Sequence, residues 1–220
     1  MAINLDRKSP GVVGIAFGAT LSVALGALLA LLNLVAQPVE IVNALPKEPV
    51  EGAMYFVKGG SAGAGRGWEI KAEQLAAGQG GQVAFSEAEL NAWAGATFEE
   101  VKVEQTEKDN SAMMIAGTPN FRLVDSSLQV GTVNQLVFFG YEAPLVLQAT
   151  GKFARAGDRW AFEAGEAYLG GLPLHRAPAL AELVSQRFGP TGSVPAAVEK
   201  VLASAERIEV SEGELIVRLP

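Results

Sequence analysis

The chain has one histidine, His175, placed after Leu172-Pro173-Leu174 and before Arg176 at an expected helix start. As a general base it would need a nucleophile and an orienting carboxylate within reach. No G-x-S-x-G run or other motif assigns either partner, so it reads as a surface or turn histidine. A single imidazole also rules out a His-based metal cluster. Glu99, Glu100, Glu104 and Glu107 form an acidic stretch, but their uneven spacing over a strand and turn suits a metal cage poorly. Glu166 shares strand parity with Trp160, Phe162 and Tyr168. A carboxylate on an apolar face could meet a ligand headgroup or act as a perturbed acid. It could equally stand in water past the sheet edge, or a bulge could switch its parity, and these plain readings are preferred. The run Lys58 to Gly67, KGGSAGAGRG, invites a phosphate-binding interpretation. No Gly-Lys-Ser/Thr follows it, the spacing is not G-x-G-x-x-G, and no βαβ pattern surrounds it. The chain therefore shows no catalytic constellation. It is read as a non-enzyme without cofactor or metal.

What remains is apolar and aromatic. Phe138, Phe139, Phe153, Trp160, Phe162 and Tyr168 gather in the strand-rich part of the sequence. They make either a packed core or the inner wall of a groove for acyl chains. On the second reading, Phe138, Phe153, Trp160, Phe162 and Tyr168 are the candidate ligand contacts.

The elements that must position these residues begin with Gly11 to Ala36, a run with no charged side chain. As a helix it extends about 39 Å at ~1.5 Å per residue, against a hydrocarbon core of roughly 30 Å. It is read as a transmembrane helix. Arg7 and Lys8 precede it and Glu40, Lys47 and Glu48 follow it. The positive-inside tendency then leaves residues 1–10 in the cytoplasm and the rest outside. A cleaved signal peptide competes with this reading, but signal cores are usually ~7–15 residues. Leu34-Val35-Ala36 is also a poor cleavage site. Gly14, Gly18, Ser22, Gly26 and Ala30 recur every four residues, a stripe on which a second helix could approach closely. Lipid-facing sequence explains it as well as a homodimer or envelope-protein seam does.

Of 17 basic and 24 acidic residues, Arg7, Lys8 and Asp6 precede the span. The exported part thus holds 15 basic and 23 acidic residues, a net charge near −8, which argues against nucleic acid as a partner and against electrostatic clinging to an anionic lipid surface. The absence of cysteine excludes a disulfide framework, so the exported domain must rely on a hydrophobic core.

Residues 37–67, with three prolines followed by clustered glycines, read as a flexible connector, within which Met54–Val57, MYFV, is a short apolar island that could pack on the domain or lie at the membrane surface. A domain over 68–220 follows. Trp68–Ala77 is an expected helix. Ser86-Glu87-Ala88-Glu89 is a capping box opening another, with Leu90, Trp93 and Ala94 on one side and Asn91 beside them. Strands are expected at Val101–Glu104, Met113–Ala116, Phe121–Val124 and Leu128–Phe139. Leu145–Phe153 and Trp160–Tyr168 complete a meander. Helices over Ala177–Phe188 and Val194–Ala205 come next, and a hairpin around Ser211-Glu212-Gly213 closes the chain. The fold class is α+β, an antiparallel sheet covered by a few helices.

This order of pieces carries a resemblance. The Ser86–Asn91 helix start precedes a long meander. Leu169-Gly170-Gly171-Leu172-Pro173-Leu174, two amphipathic helices and Ser211–Leu215 in a closing strand pair come after it. From about Val83 to Pro220 the chain resembles the YpmS-like single-span bacterial membrane proteins. More loosely it is similar to the tubular lipid-binding domains, in which a curved sheet wraps a long helix around an apolar groove. The first resemblance implies the bacterial inner membrane, with the C-terminal domain extracytoplasmic. The second implies lipid as a ligand. A membrane-anchored lipid-binding module and a ligand-free envelope scaffold are the two expectations.

Overall fold

A computed structural model describes residues 12–78, 81–98, 113–138, 141–178, 181 and 195–220. The chain folds as α+β, an N-terminal apolar helix followed by antiparallel sheets and a few helices. Helix α1, Val12–Val35, contains one segment, Gly18–Val35, long and apolar enough to cross a membrane.

The backbone of the domain is a six-stranded sheet. Its centre is a meander of β6 (Ser127–Phe138), β7 (Tyr141–Ala156) and β8 (Arg159–Leu169). The short strands β4 (Met113–Ile115) and β5 (Asn120–Val124) share the outer edge of β6, and β9 (Leu172–Pro173) adds to β8. A second sheet has the order β10 (Arg207–Ser211), β11 (Glu214–Leu219), β3 (Gly81–Ser86). Its β10–β11 turn uses Glu212 and Gly213, both at positive φ. That geometry matches the right-handed twist of the paired strands. Helices α2 (Gly67–Ala77), α3 (Glu87–Thr97) and α4 (Ala196–Ser204) surround the space between the two sheets.

Alternation along the meander buries one face at two places. Near one end Leu128, Val83, Phe85, Leu90 and Val210 form a core joined by Phe121, Phe153 and Phe162. Near the other end Leu145, Leu169, Leu172 and Leu174 are buried together. Residues expected on one parity of β8 do not stay on one face. Thr150 pairs with Glu166, but Gly151 pairs with Ala164, so Gly165 is an extra residue opposite that step. This bulge places Trp160 and Phe162 with Phe153 on one face, and Glu166 and Tyr168 with Thr150 and Gln148 on the other. Glu166 is exposed there, in keeping with the plain reading of that carboxylate.

The stretch 37–67 does more than connect. Val39–Val42 (β1) and Met54–Val57 (β2) pair in parallel. Phe56 is buried to 1% exposure. A Cβ on Gly131 of β6 would run into the Phe56 ring, so the ring rests directly on the sheet. Composition registers the prolines and glycines of this stretch, whereas the place where its apolar island Met54–Val57 packs is set by Gly131 of the distant β6. The strand expected over Val101–Glu104 lies outside the described residues, as does most of the helix expected over 177–188.

Candidate ligand-binding cavity

The capping box forms as its sequence demands. The Ser86 hydroxyl accepts from the Glu89 N–H at 3.3 Å, and a Glu89 carboxylate oxygen accepts from the Ser86 N–H at 2.9 Å. Lys71 of α2 donates to the same carboxylate at 2.7 Å, tying α2 to α3. Burial raises the Glu89 pKa, but Lys71 and the Ser86 donors outweigh it and hold the carboxyl below its ordinary value.

One turn later Asn91, 8% exposed, takes the place of a missing strand beside β5. Its Nδ2 donates to the Phe121 carbonyl at 2.7 Å, and its Oδ1 accepts from the Phe121 N–H at 2.8 Å. Asn120 donates to the same Oδ1 at 2.9 Å, and its own Oδ1 accepts from Gly59 N–H at 2.8 Å. Glu87 accepts from the Leu123 N–H at 3.0 Å. The free edge of β5 is thereby satisfied by side chains instead of left open to pairing. Gly59 is required at this approach, since a Cβ there would meet the Phe121 carbonyl oxygen. The glycine run is therefore held partly by hydrogen bonds to β5 and α3. Sequence reasoning missed Asn120 and the bonding role of Asn91, because only tertiary contact brings them together.

With α2 and α3 fixed by these bonds and α4 packed across from them, an apolar cavity of about 220 Å³ remains between helices and sheets. Its walls are Leu75 and Ala76 of α2, Leu90 and Trp93 of α3, Val198, Val201 and Leu202 of α4, and Phe85, Phe121, Phe153, Ile208 and Leu215 from the strands, among others. Every lining residue is apolar or aromatic. At the rim Ala76 and Ala197 are exposed. Lys200 of α4 donates to the Ala76 carbonyl at 2.7 Å, satisfying one of the carbonyls that a helix end leaves without a partner.

Of the five expected ligand contacts, Phe153 lines this cavity. Phe162 stacks edge-on against Phe153 with ring centres 5.8 Å apart, one layer behind the wall. Trp160 packs on the α4–β10 core, and its Nε1 donates to the Ala205 carbonyl at 2.9 Å. Tyr168 stands on the opposite face, edge-on to His175 at 5.2 Å. The Phe138 side chain lies outside the described residues. The structure thus brings Phe153, Trp160 and Phe162 together and separates Tyr168 from them.

His175 lies with Nδ1 3.2 Å from the Ala167 carbonyl oxygen. No set of metal-binding side chains occurs among the described residues. On α1, Gly18 and Gly26 have open space around them, and the Ser22 hydroxyl donates to the Gly18 carbonyl at 2.8 Å. The surroundings of Gly14 are outside the described residues.

Comparison with protein-family models, with curated proteins and with solved structures found no match.

Proposed function

We propose that this protein is a membrane-anchored, extracytoplasmic binding module whose cavity takes a small apolar molecule or the end of an acyl chain. The observation that carries this reading is the cavity wall, whose side chains are all apolar or aromatic. A cavity of about 150 Å³ lined by Leu, Ile and Phe stays dry and accepts benzene, so about 220 Å³ is ample for a ring or a few methylenes. It is below the ~300–1,000 Å³ of sites that engulf a drug-sized ligand. An amphipathic ligand would therefore enter by its apolar end and leave its polar end at the Ala76–Ala197 rim. Each methylene buried contributes about 0.8 kcal/mol.

Retention of α1 is supported by its packing. Leu31, Leu34 and Val35 cover the buried cluster of Leu145, Leu169, Leu172 and Leu174, so removal after Ala36 would expose an apolar patch. The basic residues before the span and the resemblance to single-span bacterial proteins support an inner-membrane location.

Trp93 in the wall supplies the assay. An alkanoic acid bearing a terminal bromine should quench Trp93 in the full chain held in nanodiscs, with saturation. Trp93→Phe should remove the saturable component. Val198→Trp, which fills the cavity, should abolish binding while circular dichroism stays unchanged. A well-folded chain that shows no saturable quenching would discard the ligand and leave an envelope scaffold.

A further inference from the structure

We infer that the last turn of α1 belongs to the folded domain, and that it holds the β8–β9 turn and Leu174–Arg176 against the phospholipid headgroup layer. The inference rests on α1 being a retained span and goes beyond it by fixing how the domain stands on the bilayer.

The length of α1 divides in two. Its 24 residues make about 36 Å of helix, some 6 Å more than the ~30 Å hydrocarbon core. Such a surplus is ordinarily absorbed by tilt. Here Gly18 to Ala30 are exposed without exception, and partial burial begins at Leu31 and recurs at Leu34 and Val35. Val12 to Ala30 is 19 residues, about 28 Å, close to the hydrocarbon thickness. The remaining turn is the part that the domain covers.

The covering is a backbone joint as well as an apolar one. The Gly171 N–H donates to the Leu34 carbonyl at 2.9 Å, satisfying a helix-end carbonyl. Gly170 sits at φ +59, and a Cβ there would strike the Val35 carbonyl oxygen; a Cβ on Gly171 would strike the Gln37 side chain. The Gly170-Gly171 pair is thus the surface on which the helix end rests. Only Ala36, Gln37 and Pro38 separate α1 from β1, leaving no length for the domain to swing on. With the end of the span seated on β8–β9, the adjoining exposed Arg176 falls at the level of lipid phosphates, which a guanidinium pairs well.

The chain lacks cysteine, so Arg176→Cys gives one clean labelling position. Bimane attached there, in the full chain in phosphatidylcholine nanodiscs containing headgroup-nitroxide lipid, should lose at least about half its fluorescence. Leu31→Ala with Leu34→Ala trims the helix side of the joint and leaves the domain sequence intact. Gly170→Val wedges the joint from the domain side. Either change should restore most of the fluorescence, with the circular dichroism of the domain retained. Unquenched bimane in nanodisc-embedded protein would overturn the inference and leave the anchor standing, as would quenching that the Leu31/Leu34 pair does not relieve. A mature chain beginning after Ala36 would overturn both.

Discussion

Replacing Asn91 with alanine tests whether a side chain can stand in for a strand. The amide completes both hydrogen bonds of Phe121 on the outer edge of β5, at 2.7 and 2.8 Å. Truncation leaves that N–H and C=O without partners next to a core of Leu90, Phe121 and Leu128. A buried polar group left unsatisfied costs about 1–3 kcal/mol. Two such groups, with some water reaching the vacated space, should cost about 3 kcal/mol. Domains of this size have total stabilities of about 5–15 kcal/mol, and a melting point falls about 2–4 °C per kcal/mol. Asn91→Ala should therefore melt about 6–12 °C lower. Trp93 reports locally, its ring centre 6.1 Å from that of Phe121. Urea titration of the full chain, followed by tryptophan fluorescence and far-ultraviolet circular dichroism, gives the free energy. Asn91→Asp separates bonding from shape, since it keeps the Oδ1 acceptor but sets an oxygen against the Phe121 carbonyl. It should be at least as damaging as alanine at neutral pH. A loss below about 1 kcal/mol for alanine, or a harmless aspartate, would refute the account of the β5 edge.

Two further outcomes follow from the packing. Phe56→Ala should cost about 3–5 kcal/mol, as removal of a fully buried phenylalanine does; a loss under 1 kcal/mol in urea titration would return residues 37–67 to the status of a loose tether. Glu89→Gln should cost about 1.5–3 kcal/mol at neutral pH by removing a charge-assisted bond. The folded-state pKa of Glu89 lies below the ordinary 4.5, so its contribution is fully present above pH 4.5 and is lost as pH falls through the native value. The stability gap between native protein and Glu89→Gln should be flat from pH 5 to about 8 and close on acidification; a gap that widens in acid would show the sign to be wrong.

Local signals were legible in the sequence because their physics is local. The Ser86–Glu89 box needs only four residues to satisfy each other, and it starts α3 where it was expected. The alternation of Leu128–Phe139, Leu145–Phe153 and Trp160–Tyr168 fixed the meander, since period two is a property of each strand alone. The uncharged length of Gly11–Ala36 likewise declared a helix fit to cross a bilayer. Tertiary structure decided what depends on partners distant in sequence. Gly165 puts one extra residue into β8, and that single step carries Glu166 and Tyr168 to the face opposite Trp160 and Phe162. A lone glycine inside a strand pattern was the available signal for a bulge, but its consequence for parity needed β7 alongside. Asn91 and Asn120 are 29 residues apart and become a pair only when α3 lies against β5. Phe56 is one aromatic in a short island until Gly131 offers it bare backbone. The cavity has no sequence signature at all, because its volume is what α2, α3, α4 and two sheets fail to fill, and a missing volume belongs to no residue.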